Sequence, residues 1–138
     1  MVVVPVVDGK DLADLIKVVE KPFARAEGHS GLAGQYDGIR LDTAPKLLDY
    51  FMGLAGDRFL DEGKVALLGC SCGEEGCWPL LARVSVEPEI VTWSHFEQPH
   101  RGPDSKASHW NYDLAPKFVF ARAAYESAAK LADQWPGV

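Results

Sequence analysis

Three apolar runs in the middle of the chain, joined by short connections, restrict the possible fold more than any other feature of the sequence. They cover residues 65–70, 80–86 and 90–96 and are rich in valine, leucine, isoleucine and aromatic residues. Runs of this length and composition, bounded by turn residues, are typical of strands. Connections too short for a crossover helix join strands in antiparallel order. The pattern therefore predicts a three-stranded antiparallel meander.

Apolar patterns on either side of this region predict an N-terminal strand and about three helices. Residues 2–7 are valine-rich and end at an Asp-Gly turn signal, and Pro5 places them at the edge of a sheet because proline has no amide hydrogen to donate. Helical spacing and end signals occur over residues 11–21, 43–53 and 113–134. Strands flanked by helices in this way predict an α+β fold with the helices packed on one face of the sheet.

Length and composition predict a single domain over residues 1–138, with 47% hydrophobic and 25% charged residues. A domain of this size buries enough surface to be stable without a disulfide or a metal. The apolar N-terminus lacks the basic segment of a secretory signal, and no run approaches the ~20 apolar residues of a membrane span. Together with an odd number of cysteines, this predicts a cytoplasmic protein with reduced thiols and no membrane partner.

All three cysteines lie in the stretch LLGCSCGEEGCWPLL at residues 67–81. In a strand, Cys70 and Cys72 would share a face, and Cys77 joins them if it pairs opposite Cys72 across a hairpin. Three converging thiols suit zinc or a similar soft-ligand metal. His95 is the candidate fourth ligand, although a shift of one residue in strand register moves it to the other face. Zinc binding by these four residues is one open interpretation.

Other interpretations of this turn remain open. We favour one in which the thiols pack as small hydrophobic groups and no cofactor is bound, because free cysteine is among the most frequently buried residue types. A redox role is disfavoured, since Glu74 and Glu75 would raise the pKa of a neighbouring thiol. The match to G-x-S-x-G at residues 69–73 lacks the following helix that a nucleophile elbow requires.

The same stretch also carries a resemblance to other proteins. GCSCGEEGCWPL, followed by VTWSHFEQPHR and the closing FVFARAAYE, resembles a family of small uncharacterised bacterial proteins with a GCSCGExGCWPL-type motif. The resemblance extends over about half of the chain. It implies a soluble protein of the bacterial cytoplasm, and it implies no activity and no catalytic residue.

The distribution of charge bears on the choice of partner. The net charge is −6, and residues 57–97 hold eight acidic against three basic residues. This acidic bias, without a stripe of lysine and arginine, argues against nucleic-acid binding and favours a basic protein partner. We therefore expect a non-enzymatic binding or interaction protein, of which an immunity-type inhibitor of a basic toxin is one concrete form. The predicted contact residues are Glu74, Glu75, Trp78, Glu87, Glu89, His100, Arg101, His109 and Trp110.

A polar loop at residues 97–113 supplies the remaining candidate site. Long connections in compact domains are often functional, and this loop contains serine, histidine and aspartate. A small hydrolase that uses this loop is a further interpretation. No spacing within the loop identifies a base, a nucleophile and an orienting group, so catalytic residues stay unassigned.

Overall fold

The computed structural model describes residues 2–40, 46–70, 78–106 and 108–134. Within these residues the chain is α+β, with three α-helices, a four-stranded antiparallel sheet and two separate strand pairs. The strands are β1 (Val2–Val3), β2 (Val6–Val7), β3 (Lys10–Asp11), β4 (Ile39–Arg40), β5 (Val65–Leu68), β6 (Leu80–Val86), β7 (Ile90–Glu97) and β8 (Phe118–Ala121). The helices are α1 (Leu12–Ala26), α2 (Leu47–Phe51) and α3 (Arg122–Gln134).

The valine-rich N-terminus forms two short strands, because Pro5 interrupts the run. β1 pairs antiparallel with β4, and β2 pairs antiparallel with β3. The turn between β2 and β3 is the predicted Asp8-Gly9 turn, in which both residues have positive φ, 50° and 80°. This left-handed geometry is the one that Asp-Gly favours in tight hairpins. The N-terminal strands thus pair apart from the four-stranded sheet.

Helix α1 continues past the point where the sequence predicts its end. Pro22 lies inside the helix, which reaches Ala26. The buried residues Leu12, Ile16, Glu20 and Ala24 are spaced four apart and form one face, whereas Pro22 is exposed. A proline inside a helix costs about 3 kcal/mol, and the burial of this face on both sides of it offsets that cost. The prediction that the helix ends at residue 21 is therefore wrong.

Helix α2 is shorter than predicted. It covers Leu47–Phe51, and Lys46 ahead of it has extended backbone angles. The predicted start at residue 43 lies outside the described residues. The predicted end at Gly53 agrees with a positive φ of 75° there, which an L side chain adopts only with strain.

The closing segment, predicted as one helix from residue 113, is a strand followed by a helix. Phe118, Val119 and Phe120 lie in β8, which pairs with β7 and adds a fourth strand to the meander. Aromatic and β-branched residues favour strands, and both phenylalanine rings contact Trp93 edge to face, at 6.3 and 4.7 Å between centroids. The helical spacing of the apolar residues is thus overridden by pairing and packing on the sheet.

The main sheet has the strand order β5-β6-β7-β8, and one core cluster joins its residues to those of the three helices. Tyr125 links the layers, because its hydroxyl donates to the carbonyl oxygen of Phe51 at 2.6 Å and accepts from Nε1 of Trp93 at 3.0 Å. In the part of the chain described, no helix is both long enough and apolar enough to cross a membrane.

Candidate functional site

The loop after β7 packs against the C-terminal end of α1 and against Trp78, two residues before β6, and aromatic and charged side chains meet there. The ring of Trp78 lies parallel to that of His100, with 5.8 Å between centroids and 4° between planes. The guanidinium carbon of Arg101 lies 5.1 Å from the centroid of Trp78 and 5.8 Å from that of Trp110. We call Trp78, His100, Arg101 and Trp110, together with Glu27, the tryptophan–arginine cluster.

Glu27, near the end of α1, holds this cluster in place. Its carboxylate oxygens accept from Nε of Arg101 at 3.1 and 3.3 Å and from the hydroxyl of Ser108 at 2.7 Å. Nε1 of Trp110 donates to the same carboxylate. Partial burial alone would raise the pKa of Glu27, but the hydrogen bonds from Ser108 and Trp110 and the charge of Arg101 outweigh it and lower that pKa. The ionised carboxylate is therefore the form that the cluster stabilises.

A second polar network surrounds Glu20 of α1, seven residues before Glu27. Glu20 is fully buried, and its carboxylate accepts from the amide of Gly34 at 2.8 Å and from the hydroxyls of Tyr36 and Tyr112. Burial raises the pKa of Glu20, and the three hydrogen bonds offset part of that effect. Burial and the neighbouring carboxylate also raise the pKa of both tyrosines. We call these four residues the Glu20 network.

Gln98 connects the two groups. Its buried side chain donates from Nε2 to the carbonyl oxygen of Pro79 at 3.0 Å and to the hydroxyl of Tyr36 at 3.3 Å. Its Oε1 accepts from the amide of His100 at 3.1 Å. One side chain thus joins the Glu20 network to the residue after Trp78 and to the loop that carries His100. Buried polar networks of this kind restrict movement when their members are satisfied.

The structure brings together four of the predicted contact residues. Trp78, His100, Arg101 and Trp110 come from two separated segments and meet in the cluster. His100 is exposed and Trp78 is half-buried, whereas Trp110 is 2% exposed and serves as the support beneath them. Nε1 of Trp78 is buried and has no hydrogen-bond partner among the described residues. His109 is exposed next to Trp110 in the chain.

The predicted acidic contacts lie elsewhere or outside the described residues. Glu87 and Glu89 are exposed in the connection between β6 and β7, at the end of β6 remote from Trp78. At 3.3 Å per residue, the length of β6 separates them from Trp78 by roughly 20–25 Å. Glu74 and Glu75 lie outside the described residues. The two described glutamates are thus separate from the cluster.

The proposed metal ligands are only partly described. Cys70 is half-buried just after β5, and Cys72 and Cys77 lie outside the described residues. Among the residues that are described, no three histidine, cysteine, aspartate or glutamate side chains group closely enough to hold a metal ion.

His95 occupies a bulge in β7. The pairings of Arg83 with Ser94 and of Leu81 with Glu97 leave two residues of β7 opposite a single residue of β6. His95 has a φ of 52°, is exposed, and has its Nδ1 2.9 Å from the hydroxyl of Ser94. A regular register, which the sequence-based argument assumes, therefore does not hold at this position, because the bulge re-aims the side chain.

The serines of the polar loop make local contacts. The hydroxyl of Ser105 donates to the carbonyl oxygen of His100 at 3.1 Å, and that of Ser108 donates to Glu27. These contacts stabilise the loop, and the interpretation as a hydrolase stays a prediction.

Sequence reasoning missed Glu20 in α1 and Glu27 directly after the helix. Glu20 follows Leu12 and Ile16 at intervals of four residues, and therefore falls on the apolar face of the helix. A carboxylate at such a position is a signal for a buried partner, since charged residues are rarely buried unless they are hydrogen-bonded. Glu27 is seven residues later, on the same side of the helix.

Comparisons of the chain with protein-family models, with curated proteins and with solved structures find no match. The function is therefore inferred from the chemistry of the site itself.

Proposed function

We propose that this protein is a non-enzymatic binding module for a basic protein partner, with the tryptophan–arginine cluster at the centre of its contact surface. The observation that carries the proposal is the stacking of the exposed ring of His100 on Trp78, with Arg101 beside them. Tryptophan and arginine are the residue types that contribute most binding energy at protein interfaces. Here Trp78 and Arg101 are half-buried and lie in contact with each other, and Arg101 is held by its hydrogen bonds to Glu27.

Preorganisation supports this role. Glu27 holds the guanidinium group of Arg101, and Gln98 fixes the backbone on both sides of the stacked rings. Side chains that are already ordered lose little conformational entropy when a partner binds. The cluster can therefore contribute its contact energy with little reorganisation.

The charge of the chain supports a basic partner. A net charge of −6 attracts a positively charged protein and raises the rate of encounter, most strongly at low ionic strength. Glu74 and Glu75, close to Trp78 in the sequence, and Glu87 and Glu89, at the far end of β6, are the proposed sources of this attraction. An immunity-type inhibitor of a basic toxin, in a bacterial cytoplasm as the motif resemblance implies, is one form of the proposal. Zinc binding by the cysteines is the alternative, tested below.

Site-specific photo-crosslinking tests the position of the surface. Benzoylphenylalanine at position 100 should crosslink to the partner in cells that naturally produce the protein. The same photoreactive residue in place of Val18, which is 74% exposed on α1, should not. The captured protein is identified by mass spectrometry and purified. Equal capture from both positions would contradict the proposed surface.

Binding of the purified partner then tests the residues. His100→Ala and Trp78→Ala should each weaken binding about tenfold or more, as expected for residues at the centre of an interface, and Val18→Ala should not change it. Thermal unfolding of each variant shows that it is folded. Unchanged affinity in both cluster variants would end the proposal.

A further inference from the structure

An apolar groove of about 460 Å³ lies beside β8, and the proposed function does not use it. One side is formed by residues 3–6 at the N-terminus and another by residues 119–121 of β8. Four alanines of α3 and the buried residues Trp93 and Phe51 also line it. Its volume falls in the range of roughly 300–1,000 Å³ that is typical of ligand sites.

β8 offers an unpaired strand edge along this groove. The strand lies at the end of the sheet order and pairs with β7 on one side. Within the described part of the chain, no strand pairs with its other side. Proline and charged residues usually prevent an edge strand from pairing with another chain. Residues 118–121 contain neither. The edge is therefore competent to accept a further strand.

Exposed apolar side chains continue this edge into a larger patch. Val4 is 46% exposed, Val6 is 56% exposed and Val119 is 59% exposed, and all three line the groove. Ala124 and Ala128 of α3 are also exposed in its lining, and their short side chains leave room along the helix. Contiguous exposed apolar surface of this kind marks interaction sites.

A single negative charge accompanies the patch. Asp8, in the turn between β2 and β3, is the one charged residue in the lining among the described residues. It is exposed, and it forms no ion pair with another described residue. A ligand with an apolar body and one positive charge therefore complements the groove, because a charge of opposite sign at the rim adds attraction and orientation.

We propose that the groove binds an extended apolar peptide segment of a partner protein. The segment adds to β8 as a fifth strand, places alternate side chains between α3 and residues 3–6, and sets one lysine or arginine against Asp8. Main-chain hydrogen bonds supply affinity in this mode of recognition, and the pockets for alternate side chains supply specificity. The groove is a second contact surface, independent of the tryptophan–arginine cluster.

Panning of a random decapeptide library on the full-length protein tests the proposal. Enriched peptides should alternate apolar residues and carry a lysine or arginine. Ala128→Gln, which fills the groove, should abolish the enrichment, whereas Ala123→Gln, on the same helix outside the lining, should preserve it. Failure to enrich peptides on the wild-type protein, or equal enrichment on both variants, would overturn the proposal.

A synthetic peptide from the enriched set then tests the two recognition elements by fluorescence anisotropy. Asp8→Asn should raise its Kd about threefold to tenfold, and Asp14→Asn on α1 should not change it. Asparagine tolerates the positive φ at position 8, so this variant keeps the turn. Two further peptides carry N-methyl groups on the odd-numbered or on the even-numbered backbone nitrogens. One of them should bind tenfold or more weakly than the parent, because only one of these two sets of amides faces β8. Equal affinity of both methylated peptides with the parent would overturn strand addition.

Further measurements distinguish other occupants and the other surface. A concentration-dependent dimer that Ala128→Gln dissociates would assign the groove to a second copy and overturn the proposal. Saturable binding of 1-anilinonaphthalene-8-sulfonate that Ala128→Gln removes, without peptide enrichment, would assign it to a small apolar ligand and also overturn it. Trp78→Ala should leave peptide binding unchanged, so failure at this groove and failure of the proposed function give different results.

Discussion

Glu20 in α1 and Glu27 at the C-terminal cap of the same helix lie seven residues apart, yet their surroundings shift their pKa values in opposite directions. Burial dominates at Glu20 and raises its pKa, whereas hydrogen bonds and the charge of Arg101 outweigh partial burial at Glu27 and lower its pKa. The helix and its C-terminal cap thus carry two carboxylates with opposite pH dependence. The free energy of unfolding should report each of them separately.

Glu20→Gln should remove one part of the pH dependence. A raised folded-state pKa means that the contribution of Glu20 to stability is fully present below its unfolded pKa, near 4.5, and is lost as the pH rises through the folded pKa. The wild-type protein should therefore lose stability relative to Glu20→Gln as the pH rises above about 4.5. Each unit of pKa shift corresponds to about 1.4 kcal/mol. Urea unfolding at several pH values measures the difference, and a difference independent of pH would contradict the expectation.

Glu27→Gln should show the opposite trend. A lowered pKa contributes stability above the unfolded value, near 4.5, and this stability is lost as the pH falls through the folded pKa. The variant should be about 1–3 kcal/mol less stable than the wild type at neutral pH, because the charge-assisted hydrogen bonds are lost. Glu126→Gln, which removes a partly exposed ion pair with Arg122, is the control and should cost under about 1 kcal/mol. Equal losses in both variants would refute the role given to Glu27.

Tyr125→Phe should loosen the attachment of α3. The change leaves the carbonyl oxygen of Phe51 and Nε1 of Trp93 without this partner, at an expected cost of about 1–3 kcal/mol. Burial raises the pKa of Tyr125 to about 12. Its contribution is therefore present below the unfolded pKa of 10 and is lost as the pH rises through about 12. Chemical unfolding and an alkaline absorbance titration measure both effects. Tyr36 and Tyr112 also ionise late and remain in the variant, so an unchanged titration near pH 12 would exclude this assignment.

His95→Gly should be more stable than His95→Ala, which reverses the usual order in strands. His95 has a φ of 52°, and the left-handed conformation costs an L residue about 1–2 kcal/mol that glycine avoids. Both variants lose the contact with Ser94, so their difference isolates the backbone. Thermal unfolding of the two variants should favour glycine by about 1 kcal/mol. A more stable alanine variant would show that the bulge is absent in solution.

Elemental analysis of freshly purified, untagged protein tests the zinc interpretation. We expect less than about a tenth of an equivalent of zinc, iron or copper per chain, since a true thiolate site holds its ion tightly. Stoichiometric zinc that is lost in Cys70→Ser and Cys77→Ser would instead establish the metal site. A thiol titration on the same sample distinguishes packed or oxidised cysteines from accessible ones.

The local parts of the fold could be predicted from the sequence, and the parts decided by distant contacts could not. Strands β6 and β7 follow from two apolar runs joined by a tight connection, and the Asp8-Gly9 turn follows from its residue types. The proline at position 22 gives a strong local signal for a helix end, but burial of Ala24 beyond it prevails. Phe118 and Phe120 fit a helical stripe equally well until their packing on Trp93 is known.

The same division applies to the site. Trp78, His100 and Arg101 could be selected as contact residues because aromatic and arginine side chains stand out in polar segments. Their common support could not, since Glu27 and Arg101 are 74 residues apart and Glu20 and Tyr112 are 92 apart. No local pattern encodes pairings over such distances.

The side chain of Gln98 has a consequence for the kinetics of association. This side chain forms hydrogen bonds both to the carbonyl oxygen of Pro79 and to the amide of His100. If either segment shifted, a buried polar group would lose its hydrogen-bond partner. The surface around Trp78 should consequently bind a partner as a rigid body. The association rate of such a surface is limited by the frequency and orientation of collisions, with no slow conformational change after the encounter.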